Sequence, residues 1–383
     1  MDLALSPEQE ATKRAVAEWV DAVVAPAAIR NDREERFPQE GLDGLKRDGW
    51  IGLTIPEQYG GGGADPLTYC LVVEELGRGD ANVRSLLSVH LGLVGGSINR
   101  WGSEDQKQEW LPRMATGEVL GCFCLTEPDH GSDPASLETT AVREGGSYRI
   151  NGSKIFITNG DIAGVALVMA RTGGPGARGV SAFLVPCDTP GFNPKPIHGK
   201  LGLRSCDTAE IALDDVVVSA STLLGEEGDG IKVALSALDD GRMSLAASCT
   251  GLGQAALDAM TSYAAQREQF GRPIAGFQLV QELIADTAVE VDAARLLTWR
   301  VADLKMRGEK FTLAASKAKY YASEMCVRAA NNAVQVHGGY GYVDEFVVGK
   351  LLRDSRVTTL YEGTSQVQKL LIGRALTGVS AFT

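Results

Sequence analysis

The chain has 383 residues, of which 44% are hydrophobic and 22% charged, with a formal net charge of −12. That length exceeds what one ordinary hydrophobic core organises, so a soluble protein of two or three packed domains is expected. The acidic balance, without a basic stripe to neutralise phosphates, excludes a nucleic-acid binder, though a few arginines and helix ends could still hold an anionic cofactor.

Residues 1–117 read as mostly helical. Ser6 is a good N-cap ahead of Pro7 at the first helical position, and Ala11 to Val24 repeats apolar residues at helical spacing. This start lacks the basic flank and apolar run of a signal peptide. No apolar stretch reaches the roughly 18 residues of a membrane span. A glycine-rich loop, Pro56 to Gly63, interrupts the pattern, which resumes from Leu67 to Leu76.

Over residues 118–229 the period turns towards two, as in a small antiparallel sandwich or barrel. Val119–Leu125 reads as a strand and Val142–Thr158 as a hairpin around Glu144–Ser147, with further strands at Gly164–Ala170, Val180–Val185 and Ala209–Val218. Asn151-Gly152-Ser153 reads as a tight turn between strands rather than a glycosylation site. Residues 230–383 return to helices. Val280, Leu283, Ile284, Thr287 and Val291 share one face, and alanine-rich runs favour close packing. The fold class is α+β, mainly α: helices, a β domain, then a helical bundle.

Gly251-Leu252-Gly253-Gln254-Ala255-Ala256 has the letters of a dinucleotide fingerprint but follows a helical pattern instead of a strand, so it reads as small residues at a helix–helix contact. Seven cysteines without a CxxC pair and four scattered histidines predict plain packing, without metal or disulfides, and suit a reducing cytoplasm. Cys122 and Cys124 alternate in an apolar run and so share one face of a strand.

Four segments can carry chemistry. Leu125-Thr126-Glu127-Pro128 followed by Gly131-Ser132-Asp133 ends a strand in a loop of hydroxyls and backbone N–H groups, able to hold a polar ring edge or phosphate, or simply an ordinary capped loop. Arg267 to Ile274 sets two guanidinium groups on a turn between helices, suited to bidentate phosphate binding or to solvent. Gln335 to Tyr342 ends a helix in glycines, either a plain C-cap or a place where another group approaches the backbone. Glu362 stands between an apolar strand-like or extended segment and a helix start. Taken singly it reads first as a capping or solvated glutamate, yet a carboxylate entering an apolar cleft has its pKa raised, which suits a general base.

In order and spacing, Pro56–Gly61, Leu125–Asp133, Asn151–Gly160, Lys200–Thr208, Leu224–Gly230, Arg267–Ile274, Gln335–Tyr342 and Tyr361–Gln366 resemble the acyl-CoA dehydrogenase family across nearly the whole chain. The resemblance implies an N-terminal helical domain, a middle antiparallel β domain and a C-terminal four-helix bundle, assembled as a homotetramer or homodimer. It implies non-covalent FAD, with Phe123, Leu125, Thr126 and Ser132 on the flavin side and Phe156 and Thr158 flanking the isoalloxazine. Arg267, Phe270, Gln278, Gln335, Gly338 and Gly339 are implied to reach FAD from a neighbouring subunit, with Thr364 and Gln366 completing the pocket. Ser132, Asp239, Arg242 and Gly363 are implied on the substrate side, near the acyl-carrier arm or the glutamate loop.

The chemistry so implied is removal of the proton α to a thioester carbonyl by Glu362, with hydride passing from the β carbon to flavin N5. Its partners would be an acyl-CoA or acyl-carrier-protein thioester and an electron-transfer flavoprotein. The oxyanion site would combine the Glu362 backbone N–H with an FAD ribose hydroxyl. Some relatives carry the glutamate beside the position of Arg242, where this chain has Gly241. Phe156 departs from the tryptophan of many members, and Asp129-His130 replaces a smaller pair, with His130 reading as a surface-loop residue.

Two rival functions are a flavin oxidase or monooxygenase on the same fold, many of which lack the glutamate, and a non-enzymatic scaffold or electron-transfer partner. Arg84-Ser85-Leu86-Leu87-Ser88-Val89 resembles the stretch that, in glutaryl-CoA dehydrogenases, sets an arginine against the distal carboxylate, although Gly77 stands where that group has a glutamate. The expectation is a solvated Arg84 and a simple short or medium chain. The alternative is a carboxylated or polar acyl group on an inward Arg84.

Overall fold

Ser6 caps the first helix as its place before Pro7 predicts: its hydroxyl accepts from the Gln9 N–H (3.2 Å), while the Gln9 side chain accepts from the Ser6 N–H (3.0 Å). The computed structural model describes residues 4–381. Seven helices come first: α1 Pro7–Trp19, α2 Ala25–Glu34, α3 Gln39–Arg47, α4 Pro66–Gly79, α5 Ala81–Ser88, α6 Gly96–Trp101 and α7 Glu104–Ala115. Wider π-turns over Val20–Val24 and Val89–Gly95 join α1 to α2 and α5 to α6. Asp65 starts α4 by accepting from the N–H groups of Leu67 and Thr68.

The β region follows, with β1 Gly121–Cys124, β2 Thr140–Glu144, β3 Ser147–Thr158, β4 Val165–Arg171, β5 Val180–Pro186, β6 Phe192–Pro196, β7 Thr208–Ser219 and β8 Leu223–Leu224. They form one sheet in the order β6-β7-β3-β2-β4-β5-β8, with β1 beside β4. The sheet is mixed rather than purely antiparallel, because β1 runs parallel to β4, Gly121 opposite Val165 and Cys124 opposite Val168. Alternate residues of β4 serve two cores. Val165, Leu167 and Met169 join the core of the helices, while Ala166, Val168 and Ala170 join Cys122, Cys124, Tyr148 and Phe183 in a core of the sheet's own. Cys122 and Cys124 share that face, their sulfurs 3.7 Å apart.

The hairpin turns at Gly145-Gly146 as expected, but Asn151-Gly152-Ser153 is not a turn. β3 runs unbroken through it, with a register shift against β7 between Ile150 and Gly152. A Cβ on Gly152 would lie 2.4 Å from Thr139 Oγ1, so this glycine serves a bulge and a close crossing.

Five helices complete the chain: α8 Gly230–Gln266, α9 Gln278–Met306, α10 Thr312–His337, α11 Val348–Val357 and α12 Ser365–Thr377. α8, α9 and α10 pack on one another, α12 lies on α10, and α4 lies along α8. Gly251 is a helix–helix contact, as its helical context predicts, facing the Glu74 carbonyl of α4. Lys350 of α11 donates to Asp80 (2.9 Å) and Asp354 (2.6 Å), and Asp354 accepts the Leu203 N–H (2.7 Å), so three distant stretches meet in one buried charged cluster. Among the described residues no helix is long and apolar enough to cross a membrane.

Candidate active site

Glu362 sits in the turn between α11 and α12. The segment before it is not extended: α11 runs to Val357 with Val348, Leu351 and Ser355 buried at i, i+3 and i+7, and residues 358–361 then turn. Glu362 and Gly363 are both left-handed, with φ of 58° and 85°. For a glutamate that conformation costs about 1 kcal/mol, and three side chains hold it. Gln368 Nε2 donates to the Glu362 and Gly363 carbonyls (3.0 and 3.2 Å), Arg242 Nε to the Glu362 carbonyl (3.3 Å), and Lys319 Nζ to the Gly363 carbonyl (2.8 Å). Thr364 then caps α12 by accepting from the Val367 N–H (3.2 Å).

With its carbonyls tied back, the loop sends the Glu362 carboxylate against α8. A Cβ on Gly241 would stand 2.5 Å from Glu362 Oε2, so glycine there gives the carboxylate its room. Oε2 is buried without a hydrogen-bond partner. Burial pushes the Glu362 carboxyl up to about 7, against the opposing charges of Arg242, Lys319 and Arg84. Arg242 is itself held by Asp239 (2.9 Å), whose other oxygen accepts from Thr312 (2.6 Å). Asp239, Arg242, Glu362, Gly363 and Thr364 are thus brought together. Lys319 and Gln368 escaped the sequence reading, because a lysine among Ala315, Ala318 and Ala322 carries no mark of what its ammonium reaches.

Arg84 is not solvated. It is 2% exposed, its Nη2 donates to the Tyr361 hydroxyl (2.6 Å), and its Nε has no partner. One turn further along α5, Ser88 joins Ser244 (2.8 Å), which also meets the Tyr69 hydroxyl (2.9 Å). The wall beside the glutamate is therefore a buried polar patch.

The flavin-side candidates divide. Lys154, fully buried, binds the Leu125 carbonyl (3.3 Å) and Glu127 (2.7 Å), and the Ile155 N–H donates to the Thr126 carbonyl (3.0 Å). This locks Leu125 and Thr126 beside β3, where Phe156 and Thr158 follow. Phe156 has φ of 59° within a register shift and is 65% exposed, so its ring is presented rather than packed. Phe123 is half-buried against the helical core. Ser132 lies in the exposed loop beyond, and His130 is half-buried near Glu138 (3.5 Å). Gln366 is exposed on the first turn of α12.

A second place lies at the far end of α8. A cleft of about 670 Å³ is lined by Tyr263, Arg267, His337, Gly338 and Gly339, with the Arg267 guanidinium 5.5 Å from the Tyr340 ring. Phe270 is 92% exposed nearby, and Gln278 and Gln335 are exposed too. Arg242 and Arg267 stand 25 positions apart on α8 and its cap, roughly 38 Å at 1.5 Å per residue. These residues fit FAD: a presented aromatic ring beside a hydroxyl-bearing loop suits a flavin, and a guanidinium over a glycine-floored cleft suits an anionic tail.

Comparison with known proteins identifies the fold. Residues 6–118, 122–216 and 228–377 match the acyl-CoA dehydrogenase N-terminal, middle and C-terminal domains. An acyl-CoA dehydrogenase of Bacillus subtilis (strain 168) is 43% identical, over 98% of this chain and 99% of its own. Butyryl-CoA dehydrogenase from Megasphaera elsdenii superposes with a TM-score of 0.96 at 38% identity, covering 98% of this chain and 100% of that one. A glutaryl-CoA dehydrogenase from Mycobacterium smegmatis, solved in complex with FADH2, gives 0.94 at 36% identity, covering 99% and 97%. With three domains matched in order and the glutamate loop folded against α8, the chain belongs to the acyl-CoA dehydrogenase family.

Proposed function

We propose that this chain desaturates an acyl thioester between its α and β carbons with Glu362 as the base. The observation that carries this reading is the half-buried Glu362 itself, whose carboxylate has one oxygen, Oε2, buried and unpartnered and is raised to about 7. Such a group is ionised enough at neutral pH to accept a proton and basic enough to take a weakly acidic one. Because the Glu362 and Gly363 carbonyls are anchored, the base is positioned before substrate arrives. The Glu362 N–H makes no hydrogen bond among the described residues, and so can donate to the thioester oxygen as negative charge develops there. FAD, when bound, supplies the acceptor for the β hydrogen and its electron pair.

The roughly 38 Å between the two places on α8 supports a further part of the proposal, that the Arg267 cleft serves a neighbouring subunit's FAD in a homo-oligomer. Arg267→Ala is expected to weaken FAD retention, and flavin absorbance after extended dialysis measures it; full occupancy would remove this role. An electron-transfer flavoprotein is proposed as acceptor. Seven free cysteines, six of them buried, support a cytoplasmic location.

Anaerobic flavin bleaching with a panel of thioesters tests the activity, and bleaching by none of them would refute it. The same panel tests the acyl group. A buried guanidinium whose Nε lacks a partner, beside the Ser88–Ser244–Tyr69 hydroxyls, favours a carboxylated or polar acyl tail over a plain alkyl chain. Arg84→Ala is expected to slow a dicarboxylyl thioester by at least roughly tenfold, about 1.4 kcal/mol, while sparing butyryl thioester. Equal losses on both would assign Arg84 to the Tyr361 contact instead.

A further inference from the structure

Among the described residues three lysines are buried, and they are not alike. Lys154 pairs with Glu127, and Lys350 with Asp80 and Asp354. Lys319, whose side chain is as inaccessible as that of Lys154, forms no ion pair among the described residues. Its hydrogen bond goes to a backbone oxygen, that of Gly363, at 2.8 Å. An ammonium is not buried without a counter-charge unless something else compensates it. The carboxylate nearest in the chain to its acceptor is Glu362.

We propose that Lys319 is a positioning residue for the base, tying the Gly363 carbonyl so that the left-handed pair is kept and lending its positive charge to hold Glu362 in the ionised form. The inference rests on Glu362 being the base. α8 presents Asp239, Arg242 and Cys249, with Asp239 committed to Arg242 and Thr312. α10 itself presents Cys326, the loop presents Glu362, on which Arg84 of α5 also acts, and α12 adds the uncharged Gln368 on the same Gly363 carbonyl. Two effects follow. Burial pulls the Lys319 ammonium down to about 8, opposed by Cys249 and Glu362, and the Lys319 charge counters the burial that lifts Glu362. The ammonium and the carboxylate therefore sustain each other's charge.

The test uses the FAD-loaded enzyme and two variants. Lys319→Met removes both charge and donor, and Lys319→Gln keeps a donor without charge. The readout is the pH profile of α-proton exchange into deuterated water, measured by NMR on a thioester, with flavin reduction followed in parallel. Both variants are expected to move the acid limb upward by about one unit, which is roughly tenfold in rate on that limb, with partial recovery at alkaline pH. A purely structural lysine would instead lower the rate equally at every pH. An unmoved acid limb in either folded, FAD-loaded variant overturns the proposal, and Lys319→Gln decides alone where Lys319→Met does not fold. Glu362→Gln run alongside separates the two ideas: unchanged exchange there overturns the base assignment and this inference with it, whereas abolished exchange with an unmoved limb overturns this inference only.

Discussion

Replacing Glu362 with glutamine is expected to slow flavin reduction by roughly a hundredfold to ten-thousandfold while FAD remains bound. The amide matches the carboxylate in size but cannot accept the α proton at neutral pH. The loop should survive the change, because Gln368, Arg242 and Lys319 grip its backbone oxygens and not the side chain being altered. Single-turnover reduction near wild-type rate would remove Glu362 from the chemistry. Stability provides a second check. The folded carboxyl lies at about 7, above the ordinary 4.5 expected of the unfolded chain. Its contribution to stability is complete below the unfolded value and is lost as pH rises through about 7. The thermal midpoint of wild type relative to Glu362→Gln should therefore fall across that window, whereas an offset independent of pH would contradict the raised value.

A large effect on folding is expected at Gly251. An added methyl would lie 1.8 Å from the Glu74 carbonyl oxygen and 2.8 Å from the Arg78 nitrogen. Both are backbone atoms of α4, so no flexible side-chain end can swing away, and the Glu74 side chain is itself pinned by Arg295 (2.9 Å). Gly251→Ala should cost about 3 kcal/mol or prevent folding altogether. Gly253→Ala is a fair control, because its methyl would meet the flexible Met325 side chain first, at 2.8 Å from the sulfur. Urea midpoints of the two variants measure the difference. Gly251→Ala within about 1 kcal/mol of wild type would mean that α4 and α8 can part without loss.

What could be read from the letters was mostly local. The Ser6 cap, the Gly145-Gly146 hairpin and the helical setting of Gly251 each depend on a few neighbouring residues, and each is found where the pattern puts it. Errors arose where one local signal has two structural uses. Glycine in Asn151-Gly152-Ser153 marks a bulge as readily as a turn, and only the closeness of Thr139 decides. The stretch before Glu362 looks extended, yet tertiary burial of Val348 and Leu351 makes it helix as far as Val357 and residues 358–361 turn. β6 left little trace, because Pro194 and Pro196 argue against a strand unless it lies at an edge, as it does. In the site, the resemblance supplied Glu362 and Arg242, but an isolated lysine or arginine does not disclose its burial. Lys319 became visible only when folding brought α10 against the glutamate loop, and Arg84, named through the resemblance but expected in solvent, proves to be buried.

The ammonium of Lys350 has an implication for how such proteins can be recombined. Asp80 belongs to the junction of α4 and α5, Leu203 to the run before β7, and Lys350 and Asp354 to α11, yet they share one buried cluster. A chimera that takes its first helices from one relative and its last from another inherits only part of that cluster unless both parents encode it alike. The stranded member would be a buried charge facing nothing, a defect worth several kcal/mol per ion. Leu203 lends only its backbone N–H, which any residue but proline supplies. Crossovers between relatives are thus filtered by three positions, Asp80, Lys350 and Asp354, that must travel as a haplotype, however cleanly the cut falls in a loop.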